Sequence, residues 1–412
     1  MASLRTEAAG DRLAGALSGS PHSDGDADRD AWSLLERAMR RALDLAARPG
    51  GRTSPNPNVG AVALDERTGR ILAEGHHRVP GGAHAERALL EDAARRGVEL
   101  GGSTLVCNLE PCAHQGRTPP CAPAVAAAGF ARVAFALRDP NPLVAGRGAA
   151  ILRESGVEVV EGPGEAGARR LLEGYLRWIR WRLPFVHLKM AVLPDGTAYL
   201  GRGLPRELSG SAARRLVHGW RHLSPAVMVG AGTLRTDDPL LTARELPDEV
   251  RAEPWQPRRV VLASRFDVDA ASRAFRPSPA GPPPLVIGSS EAPPGAEEAL
   301  GRAAVETARV PASKGRVDLA AALGLLGARG VTSVLVEGGP ALADALLAAG
   351  LVDRLSVILA GDVELPRARA SEGALVWRPP GGLAATLDRL RAREEEPLGP
   401  DRLVTGLLGA EG

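Results

Sequence analysis

His84-Ala85-Glu86, followed by Leu109-Glu110-Pro111-Cys112-Ala113-His114-Gln115-Gly116-Arg117-Thr118-Pro119-Pro120-Cys121, decides how this chain is read. His84, Cys112 and Cys121 are three metal donors of the kind zinc prefers. A catalytic zinc takes three protein ligands and keeps its fourth position for water, and the metal makes that water nucleophilic near neutral pH. Glu86, two residues from the histidine, remains a carboxylate free to carry protons. Zinc enzymes that remove an amine from a nucleobase carry H-x-E and then P-C-x-x-C; here eight residues separate the two cysteines. A closed structural site would ask for four protein ligands, and three are evident. His114, in a Gly/Pro-rich loop, is read as facing substrate or solvent.

Working outward, Gly81-Gly82-Ala83 reads as a turn and residues 84–96 as a helix, with Ala85, Ala88, Leu89 and Ala93 on its packed face. Residues 103–109 suit a buried strand that ends at Glu110-Pro111-Cys112, and Cys121 opens a second helix of small residues. The metal donors therefore fall at two helix starts and one strand end. Upstream, residues 1–29 lack an apolar period and read as a disordered leader. From Ala31 to Ala47 apolar residues recur at helical spacing, and a turn-rich Ser54-Pro55-Asn56-Pro57-Asn58 follows. Strands are expected at 59–64, 70–74, 132–136 and 157–161, with a helix near 149–154. That order predicts a three-layer α/β/α domain with a mixed sheet over residues 30–164. A helix over 165–182 bridges to a second domain, 183–412, where strands and helices alternate as in a mostly parallel α/β sheet. Glu337-Gly338-Gly339-Pro340, between a strand and a helix, is either an anion site or a tight connection. No G-x-G-x-x-G follows a strand.

Composition narrows the class. A length of 412 residues suggests two or three domains. A net charge of +2 gives no field for nucleic acid or a membrane, and 3% aromatics are too few for stacking bases. No apolar run approaches the roughly 20 residues that span a bilayer, and no signal pattern opens the chain. Three cysteines form no even disulfide set, which fits a reducing, cytoplasmic location.

With these motifs quoted, Ser54-Pro55-Asn56-Pro57-Asn58-Val59-Gly60, the His84-Ala85-Glu86 triplet and the Leu109–Cys121 stretch resemble the bacterial bifunctional riboflavin-biosynthesis deaminase/reductase family. The eight-residue cysteine gap is particular to that family among zinc deaminases. Asp139-Pro140-Asn141-Pro142 continues the match. In the second domain Leu188-Lys189-Met190-Ala191, Thr233, Asp237 to Arg244 and Val336 to Pro340 resemble the reductase half. The resemblance implies a cytidine-deaminase-like domain followed by an α/β dihydrofolate-reductase-like domain, with Zn2+ and NADPH as cofactors. It implies a phosphorylated pyrimidine that first loses a ring amine and then has its ribosyl group reduced to ribityl. It implies Glu86 as the catalytic carboxylate, His84, Cys112 and Cys121 as metal ligands, and Asn56 and Asn58 as contacts to the first substrate. NADPH would meet Ala191, Thr233, Asp237, Ser264 and Gly339, and the second substrate Arg221, Leu241, Arg244 and Glu337. No nucleic acid or membrane partner is implied, and a homo-oligomer, dimer or tetramer, is.

The chain also departs from the pattern. Ala191-Val192-Leu193-Pro194-Asp195-Gly196 stands where the family shows Ala-x-Ser-Leu-Asp-Gly, and Pro205 and Glu207 stand where a substrate-binding Ser and a cofactor-stacking Trp align. The usual loop near Ala360-Gly361 is also altered. Two further readings stay open: an active deaminase with a degenerate reductase, or a paralogue acting on a related pyrimidine in a specialised pathway.

Overall fold

Strands of alternating small and branched residues build the first sheet. They are β1 (Gly60–Asp65), β2 (Arg70–His76), β3 (Thr104–Cys107), β4 (Arg132–Phe135) and β5 (Glu158–Glu161), in the spatial order β2-β1-β3-β4-β5. β1 runs antiparallel to β2 and β3, whereas β3, β4 and β5 are parallel, so the sheet is mixed. The computed structural model describes residues 25–116, 118–142, 144–199, 208–251, 255–278, 280–361 and 375–409.

Because side chains alternate across a strand, each strand feeds two cores. Ala61, Ala63, Leu105, Cys107, Val133 and Phe135 pack against α2 (Ala85–Arg96), α3 (Cys121–Ala127) and α4 (Arg147–Glu154). Val62, Leu64, Val106 and Ala134 pack on the other face against α1 (Gly25–Ala47) and α5 (Glu165–Trp181). The expected α/β/α layering is present. The expected leader of residues 1–29 needs correcting at its end, since α1 already begins at Gly25; residues 1–24 lie outside the described residues.

The second sheet has nine strands, in the order Glu306–Val310, Leu285–Ser289, Arg258–Leu262, Ala226–Gly230, Ser333–Val336, Phe185–Val192, Arg354–Leu359, Asp401–Leu407 and Arg391–Leu398. The first seven are parallel and the last two turn back antiparallel. In Phe185–Val192 the residues Val186, Leu188, Met190 and Val192 join the largest core. His187, Lys189 and Ala191 face the other way; the His187 ring meets the Trp220 ring edge-on at 4.8 Å and its Nε2 lies 2.8 Å from the Ser356 hydroxyl.

The departures from the expected pattern fall in three places. Pro205 and Glu207, and the segment 362–374 after Gly361, lie outside the described residues. Leu193 and Pro194 are described, and the turn survives them: Gly196 N–H donates to Leu193 O at 2.8 Å and Thr197 N–H to the Asp195 carboxylate at 2.8 Å. Leu193 is buried beside Leu208 and Ala360.

The deaminase-like domain docks on one end of the second sheet. The Ser54 hydroxyl donates to Gly330 O at 2.6 Å, Trp178 Nε1 to Gly327 O at 2.8 Å, and His222 Nε2 to Arg48 O at 2.9 Å. Arg177 pairs with Asp353 at 2.9 Å, and Glu173 pairs with Arg354. Gly51 is required at this seam, because a Cβ there would stand 2.5 Å from Pro225 N.

Candidate functional site

His84 is the residue before α2 and has extended backbone (φ −71°, ψ 164°), so its ring is not spent capping the helix. Glu86 follows in the first turn of α2, and Cys121 opens α3. Cys112 follows the end of β3, where its carbonyl accepts hydrogen bonds from the N–H groups of Cys121 and Ala122, both at 3.0 Å. Two helix starts and one strand end thus converge. His84 Nδ1 lies 3.4 Å from Cys112 Sγ and 3.5 Å from Cys121 Sγ. All three donor atoms fall within 4.8 Å of one another.

These residues fit zinc. Bond lengths of about 2.0 Å to nitrogen and 2.3 Å to sulfur in a tetrahedron put N and S about 3.5 Å apart, close to the separations found. The other ring nitrogen, His84 Nε2, lies 3.1 Å from the Thr118 hydroxyl, a partner that fixes the ring and leaves Nδ1 for the metal. The Cys112 thiol is held well below its ordinary range by its hydrogen bond with Cys121 and by His84, which favours the thiolate a metal takes. The same hydrogen bond pushes Cys121 up, and His84 is raised by its contact with Cys112. Glu86 is 4% exposed; burial, with the nearby Cys112 charge, pushes its carboxyl up to about 7.

The site opens into a cavity of about 380 Å³ lined by Asn56, His77, His84, Glu86, His114, Asn141, Tyr175 and Trp178 among others. Asn56 and Asn58, expected together, separate. The Asn56 amide donates to His77 Nε2 at 3.0 Å and lines the cavity. Asn58 is a correction: both its amide hydrogens go to carbonyls, Ala46 O at 3.0 Å and Gly50 O at 2.9 Å, and its oxygen accepts from the Thr53 hydroxyl at 2.8 Å. It ties the loop to α1 and has no donor left for a substrate. His77 and Thr118 escaped the sequence reading. The signal for His77 was a histidine at the close of an apolar strand, seven residues before the metal histidine. Its Nδ1 lies 2.9 Å from Ala83 O, and burial lowers its basicity, so it stands as a neutral ring accepting from Asn56.

In the second domain Ala191, Thr233, Ser264 and Gly339 come to the same edge of the sheet, each at or just past the C-terminal end of a parallel strand. Ligands in open α/β sheets bind outside those ends. Gly339 N–H donates to the Thr233 hydroxyl at 2.9 Å, joining two of the expected cofactor contacts directly. Gly339 precedes the helix Pro340–Ala348, whose N-terminus suits a phosphate. Asp237 closes the helix Ala231–Asp237, and the Ser264 hydroxyl accepts from Val317 N–H at 3.1 Å. Arg221, expected at the second substrate, spends its guanidinium on Glu337, expected there as well. Its Nε and one terminal nitrogen hold Glu337 at 2.6 and 2.8 Å, and both side chains are nearly closed off from solvent. Arg221 depresses the Glu337 carboxyl against a burial penalty that would raise it. Arg244 keeps an exposed guanidinium, bonded to the Thr242 hydroxyl at 2.7 Å. Leu241 is buried with a left-handed backbone (φ 55°), a strained conformation for a branched residue and one that recurs at ligand sites.

Known proteins resemble this chain along most of its length. Residues 33–137 match the cytidine and deoxycytidylate deaminase zinc-binding region, and residues 184–362 match the RibD C-terminal domain. The riboflavin biosynthesis protein RibD of Escherichia coli is 36% identical over 384 residues, covering 91% of this chain and 99% of that protein. RibD of Bacillus amyloliquefaciens is 34% identical, covering 82% and 89%. Among solved structures, Acinetobacter baumannii RibD aligns with a TM-score of 0.71 at 32% identity, covering 92% of this chain and all of that one. A Thermotoga maritima diaminohydroxyphosphoribosylaminopyrimidine deaminase/5-amino-6-(5-phosphoribosylamino)uracil reductase aligns with a TM-score of 0.73 at 32% identity, covering 91% and 98%. A zinc-binding deaminase domain joined to a RibD reductase domain, matched along nearly its full length, makes this chain a member of the RibD family of riboflavin-biosynthesis deaminase/reductases.

Proposed function

We propose that the chain performs two consecutive steps on one phosphorylated pyrimidine. The first is hydrolytic loss of the 2-amino group of 2,5-diamino-6-(5-phosphoribosylamino)pyrimidin-4-one as ammonia; the second is NADPH-dependent reduction of the ribosyl group to ribityl. The observation that carries the first step is the convergence of His84, Cys112 and Cys121 beside a buried Glu86 in one cavity. Zinc, when bound to those three residues, supplies a Lewis acid that makes water nucleophilic. Glu86, brought by burial to about neutrality, is suited to take a proton from that water and return protons to the ring nitrogen and the departing amine. As the C–O bond forms, the C–N bond breaks and ammonia leaves. Asn56, held by His77, is the donor that meets the ring. The name of the Thermotoga relative contains both reactions, which supports this substrate.

For the second step the cofactor carries the hydride and the chain orients it. Ala191, Thr233, Asp237, Ser264 and Gly339 would hold NADPH along the sheet edge, with Leu241, Arg244 and Glu337 on the substrate side and Arg221 keeping Glu337 ionised. A homo-oligomer and a cytoplasmic location complete the proposal. Free cysteines at the metal site are best kept in a reducing compartment, and oligomerisation would cover exposed side chains such as Trp32 and Trp181. Among the described residues no helix is long and apolar enough to cross a membrane.

A second reading, with an active deaminase and a silent reductase, is favoured by one observation: the position aligned with the family's serine holds Leu193, packed into a small apolar cluster. Zinc-loaded full-length protein given the diaminopyrimidine phosphate and NADPH decides between the two. Ammonia release with stoichiometric NADPH consumption supports both steps. Ammonia without NADPH loss selects the second reading, and no ammonia removes the first step as well.

A further inference from the structure

The helix α5 connects the two domains, and it is also a wall of the deaminase cavity. Tyr175, Trp178 and Ile179 all line that cavity. The Tyr175 hydroxyl donates to Asp139 Oδ1 at 2.8 Å, and the same oxygen accepts Asn141 N–H at 2.9 Å. This pair fixes the Asp139-Pro140-Asn141 turn, and both Asp139 and Asn141 face the cavity. The turn is held from below by Glu110, a buried carboxylate that accepts from the N–H groups of Asp139, Gly146 and Ala149 at 3.3, 3.0 and 3.1 Å.

The residues of α5 that flank Tyr175 dock on the other domain's surface. Glu173 pairs with Arg354, Arg177 with Asp353 at 2.9 Å, and Trp178 Nε1 donates to Gly327 O at 2.8 Å. At Gly174 a Cβ would come within 3.2 Å of Thr332 O, so the helix lies against the start of the strand Ser333–Val336. Residues three and four apart share a helix face; Gly174, Arg177 and Trp178 form the face docked on the reductase domain. A second wall of the cavity is anchored on the same domain. The Ser54 hydroxyl donates to Gly330 O at 2.6 Å, two residues before Asn56 enters the cavity.

We propose that Tyr175 is a positioning residue for deamination, through which the docked reductase domain sets the substrate-binding shape of the deaminase cavity. This rests on the deaminase reading given above. The Tyr175 hydroxyl donates to Asp139 and not to the metal ligands or Glu86, so it acts through the Asp139 turn. Its loss therefore weakens substrate binding more than the chemical step.

The test compares zinc-loaded full-length wild type, Tyr175→Phe and Arg177→Gln by ammonia release from the diaminopyrimidine phosphate, with zinc content and NADPH affinity measured alongside. Tyr175→Phe removes one hydroxyl and keeps the ring. It is expected to raise KM roughly tenfold, the lower end of what one hydrogen bond to a charged group is worth, with kcat within about twofold and zinc and NADPH binding unchanged. Arg177→Gln, which lies outside the cavity and cuts the anchor to Asp353, is expected to raise the same KM by a smaller factor. A Tyr175→Phe protein with the KM of wild type overturns the proposal, as does a fall in kcat at constant KM. Should Tyr175→Phe fail to fold, an Arg177→Gln protein with unaltered KM overturns it instead. A wild type that releases no ammonia defeats the deaminase reading itself, so the two failures are told apart.

Discussion

At the scale of single residues, proton transfer and metal binding are separable in this site, because Glu86 is not one of the three clustered donors. Glu86→Gln keeps the shape and one hydrogen-bonding oxygen but cannot cycle a proton. Ammonia release should fall by roughly 10² to 10⁴, the usual worth of a general acid–base group, with zinc still bound one per chain. Cys121→Ala should lose the zinc itself, and full metal content in that variant would disprove the ligand set. The residues that matter here were legible because metal chemistry restricts both residue type and spacing: a His two residues from a Glu, one cysteine after a strand-ending apolar run, and a second that opens a helix. Asn58 misled for a physical reason. An asparagine in a Pro-rich turn can serve a ligand or its own backbone, and only the carbonyls of Ala46 and Gly50, brought close by the end of α1, decide between them. Tyr175 carried no local signal, since its partner Asp139 is 36 residues away.

At the scale of elements, period decided what could be read. The five strands of the first sheet alternate or run apolar, so their positions along the chain were legible, whereas their spatial order β2-β1-β3-β4-β5 comes from the structure. The strand Arg391–Leu398 went unseen because its sequence, Arg-Ala-Arg-Glu-Glu-Glu-Pro-Leu, is mostly charged. It lies at the edge of the nine-stranded sheet, where charge and proline discourage pairing with another chain. The strand Phe185–Val192 makes a different demand. Its His187 sits between Trp220 and Ser356, and burial lowers its pKa to about 3 from 6.5. As pH falls below 6.5 the unfolded chain takes up a proton that the folded strand refuses, so stability is full above 6.5 and is lost on acidification towards 3. One such proton is worth about 1.4 kcal/mol per pH unit. His187→Gln should therefore lose about 2 kcal/mol less than wild type in unfolding free energy between pH 6.5 and 5; equal losses would show that His187 does not titrate this way.

At the scale of the whole molecule, the deaminase domain and the expected cofactor residues occupy opposite ends of the second sheet. The seam contacts Gly330, Thr332, Pro225 and Asp353 stand just before parallel strands begin. Thr233, Ser264 and Gly339 stand just after parallel strands end. The strand Phe185–Val192 has eight residues, which at roughly 3.3 Å each spans about 26 Å. Within one chain a pyrimidine leaving the zinc cleft must go around the sheet and not through it. When labelled substrate, NADPH and an excess of unlabelled deaminated intermediate are supplied together, the label in the reduced product should fall to the ratio in bulk solution. Retention of label above that ratio would show guarded transfer.

Docking at the strand starts carries a consequence for what the covalent linkage is worth. If the intermediate mixes with solvent, tethering the domains speeds no encounter, and the coupled assay should show the same lag as an equimolar mixture of separate enzymes. What one polypeptide then provides is matched dosage: every cleft that makes the intermediate is translated together with one site to consume it, so a reactive amine has less opportunity to accumulate. An inhibitor filling the zinc cleft would leave NADPH turnover on exogenous intermediate untouched, and drugs against the two ends could be combined without competing for space.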